Sequence, residues 1–311
     1  MILQRCSGRV GRRCASLYRF KCTAEVESEE LTLTSVICHD LNLLNSLGLS
    51  NTYYRPESDL TPGLVLGKEN GILQLRWADR KKRERPWFIN FLQWQRRIKD
   101  AQCGNDLLCR AFAFASHSKS QRPDSHVVID LTAGLGRDSF LLAATGLPVL
   151  LVERNPVLYH MLVDGLQRLQ ASAPNASAAA VAAGKRMFLI CADSTSLHTR
   201  ENLQQLIVDH MQNDSVITSV YLDPMYASGD VGRKSAVKKD STMLRHLVQD
   251  DIVGVEDKEE NNRVLLQIAL QLVSPSGRVV VKRALSAKAL PGVPPTRQLL
   301  GSTHRFDIYK R

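Results

Sequence analysis

Acidic residues follow three apolar, β-branched runs of the sequence, each at the point where the run ends. Asp130 closes the first run and leads into Thr-Ala-Gly-Leu-Gly-Arg-Asp, Glu153-Arg154 closes the second, and Asp193-Ser194 closes the third. The glycines of the first turn let the main chain approach a ligand closely, because a Cβ would collide or forbid a positive φ. Glu153 lies nineteen residues after Gly134, the spacing at which an acidic side chain accepts hydrogen bonds from both ribose hydroxyls. The pattern therefore predicts a nucleotide site at these run ends.

The side chains of the first turn favour a nucleoside that carries an amino acid. Ser139 stands where the dinucleotide signature has its third glycine, which counts against NAD and a dehydrogenase. Arg137 and Asp138 could instead meet the carboxylate and the ammonium of a methionine moiety through charge-assisted hydrogen bonds, and Asp193 could accept from an adenine amino group. These features predict S-adenosylmethionine (SAM) as the cofactor. The predicted cofactor-binding residues are Asp130, Gly134, Gly136, Arg137, Asp138, Glu153, Arg154, Asp193, Ser194 and Asp223.

A fourth run ends in Asp-Pro-Met-Tyr at residues 223–226, which supplies groups for amine chemistry. The lone pair of a base's exocyclic amine is delocalised into the ring, so attack on a methyl sulfonium needs the nitrogen held in line and its proton drawn toward an acceptor. Asp223 and the main-chain carbonyl next to Pro224 can accept, and Tyr226 can stack on the base. Most of the acceleration would come from positioning and electrostatics. These three are the predicted catalytic residues.

Basic residues are in excess over the whole chain and cluster in two places. The 41 lysines and arginines against 31 acidic residues give a net charge of +10, which favours polyanionic partners. The stretch 76–99 combines nine basic residues with all three tryptophans, a mixture that suits looped or single-stranded RNA, although we expect the tryptophans themselves to be buried. The alternative for both clusters is a solvated charged surface. The predicted RNA contacts are Arg96, Arg97, Lys234, Lys238 and Lys239.

Strand-type and helix-type patterns alternate from residue 127 onward, and these elements must position the site. Apolar runs predict two strands that end at Asp130 and Glu153, and three more over 187–193, 216–223 and 277–283. The segments RQLLG and HRFDIYKR predict an antiparallel pair that closes the chain. Helical patterns cover 155–170, 197–211, 234–248 and 261–273, while the Ala/Ser stretch 171–184 predicts a loop or a loosely packed helix. This alternation implies an α/β fold with a doubly wound, mostly parallel sheet, whose function sits at the carboxyl ends of its strands.

The chain before residue 121 has a different organisation. Residues 1–30 begin with an arginine-rich segment that has no acidic residue before Glu25, which fits a transit peptide, a disordered basic extension or a start codon assigned too far upstream. Residues 31–120 predict a small strand-rich region that contains the basic and aromatic segment and closes in a helix near 104–120, capped by Asn105 or Asp106. Residues 121–311 would form the catalytic domain.

Several classes of protein do not fit the composition. The seven cysteines are scattered without a Cys-x-x-Cys pair, so we expect reduced thiols in an intracellular compartment, with neither a disulfide framework nor a metal site. No run of eighteen apolar residues is present, so we expect no membrane span. With 44% apolar and 23% charged residues, the chain can bury one large core. The sequence does not specify an oligomeric state.

Six motifs in order resemble those of the RsmJ family, ribosomal RNA small subunit methyltransferase J. They are DLTAGLGRDSF, LVERNPVLYHMLVDGL, YLDPMY, KSAVKKD, VVVKR and HRFDIY, and the match covers approximately Val127 to Tyr309. The resemblance implies a Rossmann-like, class I SAM-dependent methyltransferase fold and methylation of the exocyclic N2 of a guanosine in 16S-type rRNA. It also implies SAM contacts at Arg137, Asp138, Glu153, Arg154, Asp193, Ser194 and Asp223.

The resemblance implies a partner and a location for the protein, and it leaves two alternative functions open. The implied partner is small-subunit rRNA or the small ribosomal subunit, in a bacterial-type cytoplasm, or in the mitochondrial matrix if residues 1–30 are a transit peptide. The family often has Ser-Ser where this chain has Asp193-Ser194, a change that should preserve the contact with adenine. Asp-Pro-x-Tyr serves any planar amine, so an amino-methyltransferase acting on adenine or another RNA is the nearest rival. A non-catalytic rRNA-binding assembly factor is the alternative from another class.

Overall fold

The computed structural model describes the chain in segments that surround one central sheet. The described residues are 36–56, 63–78, 85–112, 126–172, 175–196, 203, 216–224, 244, 247 and 255–311. Several predicted features lie outside them: the basic extension 1–30, the helix 197–211 apart from Leu203, the helix 234–248 apart from Leu244 and Leu247, and the site residues Tyr226, Lys234, Lys238 and Lys239.

The described residues contain ten strands, seven α-helices and two 3₁₀ segments. The strands are β1 Val36–Cys38, β2 Leu64–Glu69, β3 Ile72–Trp77, β4 His126–Asp130, β5 Val149–Glu153, β6 Met187–Cys191, β7 Val216–Leu222, β8 Arg278–Ala284, β9 Arg297–Leu300 and β10 His304–Lys310. The helices are α1 Leu41–Leu47, α2 Ile98–Gln102, α3 Leu107–Ala111, α4 Arg137–Ala144, α5 Pro156–Ala171, α6 Ala178–Gly184 and α7 Val255–Leu272, and the 3₁₀ segments are Asn51–Tyr53 and Phe91–Arg97.

The central sheet has seven strands in the order β6-β5-β4-β7-β8-β10-β9. The first five are parallel to one another, and β10 runs antiparallel to both β8 and β9. The predicted mostly parallel sheet with a closing antiparallel pair is therefore confirmed. Because the five parallel strands share a direction, their carboxyl ends meet at one edge, where ligands bind in folds of this type.

Alternation along the strands divides their side chains between two apolar layers. Val128 and Tyr221 belong to a cluster that includes the buried faces of α4 and α5. Val127 and Val220 belong to a second cluster that includes the buried face of α7. Helices thus cover both faces of the sheet, as a doubly wound architecture requires.

The N-terminal region is strand-rich, as predicted, and packs on the α4 side of the central sheet. β1 pairs with β2 in parallel and β2 with β3 in antiparallel, forming a sheet of three strands. Its apolar side chains lie in the same cluster as those of α4 and α5. Trp87 is 7% exposed, and Trp77 and Trp94 pack partly buried against this cluster, which confirms that the tryptophans are core residues. The boundary at residue 120 stays a prediction.

Side-chain caps set the starts of α5 and α6. Asn155 caps α5 and Pro156 occupies its first turn, where the missing N–H costs nothing, as the sequence predicts. Ser177 caps α6, whose Ala180 and Ala183 are fully buried. The Ala/Ser stretch therefore contains a closely packed helix instead of a loop or a loose one, because alanine lets the backbone of α6 approach its neighbours.

Two helices differ from the sequence prediction. α7 begins at Val255, before the predicted start at residue 261. α1 was not predicted, because its seven residues are too few for a helical period to show. It is defined at its start by Asp40, whose Oδ1 accepts from the main-chain N–H groups of Asn42 and Leu43 at 2.9 and 3.1 Å.

Candidate active site

The carboxyl ends of β4, β5, β7 and β8 bring polar side chains to one edge and one side of the sheet. Apolar residues near the ends of these strands, Val128, Leu151, Tyr221 and Val280, all belong to the α4-side cluster. Side chains alternate along a strand, so residues two positions further on keep the same side. The residues placed in this way are Asp130, Glu153, Asp223 and Lys282.

The turn between β4 and α4 contains two glycines with positive φ. Gly134 has a φ of 53° and Gly136 a φ of 67°. A Cβ at Gly136 would lie 2.9 Å from Cδ2 of Leu162, so packing as well as backbone conformation excludes a side chain there. Gly136 also precedes α4, whose first main-chain N–H groups have no partner within the helix. Gly136 thus lets the turn pack closely against Leu162 of α5, and contact between the turn and a ligand stays a prediction.

Glu153 connects the glycine turn to the end of β5. Its Oε2 accepts from the main-chain N–H of Gly134 at 2.8 Å, and its Oε1 accepts from that of Asn155 at 2.9 Å. The residue is 7% exposed, and this burial raises its pKa to about 7. Glu153 therefore fixes two loops, and its contact with ribose hydroxyls stays a prediction.

Asp130 ties the end of β4 to the first turn of α4. Its Oδ1 accepts from the main-chain N–H of Thr132 at 3.0 Å, and its Oδ2 accepts from the hydroxyl of Ser139. Asp130 is 1% exposed, and burial raises its pKa to about 7. From the sequence, Ser139 counted only against NAD. In the structure, its hydroxyl donates a hydrogen bond to the buried carboxylate of Asp130. A direct contact between Asp130 and a cofactor stays a prediction.

Asp193 and Ser194 follow β6 and differ in exposure. Asp193 is exposed, and its Oδ1 accepts from the N–H and the hydroxyl of Thr195 at 2.8 and 2.7 Å. Ser194 is buried, and its hydroxyl donates to the carbonyl of Leu131 at 2.6 Å. Asp193 therefore presents the accessible side chain of the pair, whereas Ser194 anchors the loop to the end of β4. Arg154 is exposed at the end of β5.

Asp138 is the centre of a charged cluster between α4 and β8. Its Oδ2 accepts from the hydroxyl of Tyr221 at 2.7 Å and from Nζ of Lys282 at 2.8 Å, and Nε of Arg137 lies 3.3 Å from Oδ1. Burial disfavours the ionised carboxylate, but the charges of Lys282 and Arg137 outweigh burial and hold the pKa of Asp138 well below its usual range. The contact of Arg137 and Asp138 with a methionine moiety stays a prediction.

Lys282 extends this cluster to Asp223, the predicted proton acceptor. Its Nζ lies 2.8 Å from Oδ2 of Asp223, in addition to its contact with Asp138. Burial alone would lower the pKa of Lys282, but the two carboxylates raise it overall. The main-chain N–H of Asp223 donates to the hydroxyl of Thr132 at 2.6 Å. Asp223 is thus joined to the glycine turn by a hydrogen bond and to α4 through an ion pair.

The remaining predicted site residues are partly outside the described segments. Pro224 is buried directly after Asp223, and its role in stiffening this turn stays a prediction. Arg96 is exposed, whereas the guanidinium of Arg97 lies 2.6 Å from a carboxylate oxygen of Asp106, the residue that also caps α3. Arg97 therefore has a structural contact beside any contact with RNA. Tyr226, Lys234, Lys238 and Lys239 lie outside the described residues.

Lys282 and Tyr221 are the site neighbours that the sequence analysis did not assign. A lysine within the apolar run Val-Val-Val-Lys was the available signal, since a buried ammonium needs a charged partner. His304, to which the sequence gave no role, lies half-buried at the start of β10, with its ring centroid 5.1 Å from that of Phe306. Burial lowers the pKa of His304, and the charge of Lys282 lowers it further.

The residues that the structure describes contain neither a metal-binding cluster nor a membrane-spanning helix. Within these ranges, no cluster of three or more His, Cys, Asp or Glu side chains has a metal-binding arrangement. No helix in the same ranges combines the length and the apolar character that a membrane span needs. The described cysteines, Cys38, Cys103, Cys109 and Cys191, form no disulfide with one another.

Known proteins similar to this chain are methyltransferases. The family model described as "Putative SAM-dependent methyltransferase" matches residues 50–311. A ribosomal RNA small subunit methyltransferase J from Alcanivorax borkumensis is 38% identical over 79% of this chain and 83% of its own length. Another, from Thioalkalivibrio sulfidiphilus, is 38% identical over 61% of this chain and 63% of its own length, so the aligned part spans somewhat less than two thirds of that relative.

One solved structure shares the fold. A SAM-dependent methyltransferase from Neisseria gonorrhoeae aligns with a TM-score of 0.58 and 24% sequence identity, over 88% of this chain and 95% of its own. The similarity covers the N-terminal region as well as the central sheet.

Proposed function

The chain belongs to the ribosomal RNA small subunit methyltransferase J family, and we propose that it transfers a methyl group from SAM to the exocyclic N2 amine of one guanosine in 16S-type rRNA. The observation that carries this proposal is the hydrogen bond of 2.6 Å from the N–H of Asp223 to the hydroxyl of Thr132. This bond places a carboxylate that can accept a proton directly beside the glycine turn that we assign to SAM.

The described residues fit SAM in shape and in chemistry. A Cβ at Gly134 would meet only the carbonyl of Thr132, at 3.8 Å, so the turn has room for a ligand there, and the exposed carboxylate of Asp193 can accept from an adenine amino group. The side chain of Arg137 is 41% exposed, so its guanidinium can reach the carboxylate of the methionine end. When bound, SAM supplies a methyl group on a positively charged sulfur.

We assign the amine's part of the reaction to the residues after β7. SAM, held by the strand-end residues named above, would supply the methyl group that the target nitrogen takes up. The nitrogen gives up one proton, and Asp223 is the acceptor that we assign to it. Pro224 keeps the adjoining carbonyl in place, and Tyr226 stacks on the base. Positioning provides most of the acceleration.

The substrate is small-subunit rRNA, as naked RNA or within the small ribosomal subunit. The net charge of +10 favours binding to a polyanion, and Arg96, Arg97, Lys234, Lys238 and Lys239 are the side chains that we assign to phosphates. The choice of guanine N2 over another planar amine comes from the family resemblance. The similar proteins are bacterial, which supports a bacterial-type cytoplasmic protein, and nothing in the comparisons supports a mitochondrial location.

A non-catalytic assembly factor is a weaker alternative, because such a protein has no need to hold Asp223 beside the glycine turn. An enzyme that acts on adenine would keep the same turn and the same Asp223. The two alternatives therefore differ in whether a methyl group is transferred and in which base receives it.

The proposal is tested by incubating the protein with SAM that carries a labelled methyl group and with small ribosomal subunits that lack methylation. We expect label in a single N2-methylguanosine after nuclease digestion. Label in methyladenosine would favour the nearest rival, and SAM binding without label in RNA would favour the assembly factor.

A further inference from the structure

Lys282 contacts a carboxylate in each half of the site. Its Nζ lies 2.8 Å from Oδ2 of Asp138, in the first turn of α4, and 2.8 Å from Oδ2 of Asp223, after the end of β7. Its side chain is only 14% exposed. An ammonium so far removed from water is stable only with charged partners, and Lys282 has two. The ion pairs therefore join the cofactor side of the site to the target side.

Asp138 is the fixed end of this bridge. The hydroxyl of Tyr221 donates to the same Oδ2 of Asp138 at 2.7 Å, and the carboxylate is 12% exposed. The carboxylate of Asp223 is 31% exposed and is the outer end. Lys282 thus transmits the fixed position of α4 to the carboxylate that borders the target base.

The charges of the cluster compensate each other. Arg137 and Lys282 are cationic, whereas Asp138 and Asp223 are anionic, so that the four side chains together are neutral. SAM carries a net positive charge, whereas its product S-adenosylhomocysteine (SAH) is neutral overall. Removing the ammonium of Lys282 would leave the cluster negative, which attracts SAM more than SAH.

We propose that Lys282 is a positioning residue for methyl transfer, and this inference rests on the proposed function. Its ammonium holds Oδ2 of Asp223, so that the other carboxylate oxygen faces the target amine. It also keeps the cluster neutral, which limits how much more tightly SAM binds than SAH.

The test compares Lys282→Met, which removes the ammonium but keeps an apolar stem, with Lys282→Arg, which keeps the charge. For Lys282→Met we expect kcat to fall by about 100-fold, because misplacing a reacting group by about 1 Å has an effect of this size. The KM for RNA should stay within about threefold, since Lys282 holds a carboxylate and not a phosphate. Lys282→Arg should recover at least about a tenth of the wild-type kcat by the same positioning argument.

Calorimetry with SAM and with SAH gives a measurement that does not depend on turnover. We expect Lys282→Met to bind SAM at least as tightly as the wild type and to raise the ratio of SAM affinity to SAH affinity. Lys288→Met is the matched control, because Lys288 is an exposed lysine in the loop after β8 and lies outside the cluster. Its kcat and both affinities should equal those of the wild type.

Two results would overturn the inference. One is a kcat for Lys282→Met within about threefold of the wild type, which is smaller than any positioning effect. The other is a parallel loss of SAM affinity, kcat and Tm that Lys282→Arg does not restore, which is the result of a purely structural role. If Lys282→Met does not fold, Lys282→Gln takes its place under the same criteria. If the wild type methylates no RNA, the proposed function fails, while the comparison of SAM with SAH still tests the charge argument.

Discussion

The two halves of the site hold their carboxylates in opposite ways. On the side of β4 and β5, Asp130 and Glu153 accept from main-chain N–H groups and a hydroxyl, and burial raises both pKa values to about 7. On the side of β7 and β8, Asp138 and Asp223 share the ammonium of Lys282, and the pKa of Asp138 is held well below its usual range. Neutral hydrogen-bond donors fix the loops of the first half, whereas ion pairs between charged side chains hold the second half.

This difference indicates a structural role for the carboxylates of the first half and a chemical role for Asp223 in the second. A carboxylate that serves only to join loops can be protonated without losing its place, since both of its oxygens still accept hydrogen bonds. A carboxylate that takes a proton from an amine must begin ionised, and a neighbouring ammonium favours that state. Substitutions in the first half should therefore change stability, and substitutions in the second half should change turnover.

Replacing Asp223 with alanine should have the largest effect. We expect kcat to fall by about 10² to 10⁴-fold, the range for the loss of a general base. SAM should still bind within about tenfold of the wild-type Kd, because one lost hydrogen bond is worth on the order of 1 kcal/mol. Single-turnover methylation and calorimetry measure the two quantities. Full activity in Asp223→Ala would exclude the role assigned here, and Asp223→Asn, which keeps the shape without the charge, separates proton acceptance from packing.

Asp130→Asn should change how stability depends on pH. The folded-state pKa of Asp130 is raised from 3.8 to about 7, so its contribution to stability is complete below about pH 4 and is lost as the pH rises toward 7. The asparagine does not ionise, so above pH 7 the variant should be more stable than the wild type by up to about 4 kcal/mol. Thermal unfolding at pH 5 and pH 8 measures this. A Tm difference between the two proteins that is the same at both pH values would contradict the assignment.

Gly136→Ala should lower the stability of the protein, by less than the change expected for Asp130→Asn. The residue would be forced into a left-handed conformation, at about 1–2 kcal/mol, and its Cβ would press against Leu162. Gly71→Ala is the control, because Gly71 also has a positive φ, of 77°, but its Cβ would meet nothing within 4 Å. We expect a lower Tm for Gly136→Ala than for Gly71→Ala, with weaker SAM binding only in the former. Equal Tm values would mean that packing at the turn is unimportant.

The smallest effects are expected at Arg96 and Arg97, outside both halves. Arg96→Ala should lower RNA affinity and reduce the dependence of affinity on salt by about one counterion, without changing Tm. Arg97→Ala should lower Tm slightly, since its ion pair with Asp106 is worth about 1 kcal/mol or less. Filter binding at several salt concentrations measures the first effect, and thermal unfolding measures the second. RNA binding that is indifferent to Arg96 would remove it from the interface.

The sequence predicted what depends on local pattern. Strand ends at Asp130 and Glu153 followed from apolar runs, and the start of α5 followed from Asn155 and Pro156. These features are local because a period, a cap or a glycine turn involves residues that are close together in the chain. The parallel sheet followed from their alternation.

The contacts of Lys282 with Asp138 and Asp223 could not be predicted from local pattern. Lys282 is 59 residues from Asp223 and 144 from Asp138, and they meet only because β8 lies beside β7 and Asp138, in the first turn of α4, contacts side chains of both strands. Register decides which side chains share a face, and sequence alone does not give the register between distant strands. The close packing of α6 was missed for the same reason, since it depends on the neighbours that its alanines meet.

Mass spectrometry of small-subunit rRNA from cells with and without this gene tests the central claim most directly. We predict that one N2-methylguanosine is absent when the gene is deleted, returns with the wild-type gene, and does not return with Asp223→Ala. An unchanged set of methylated guanosines in the deletion strain would contradict the account.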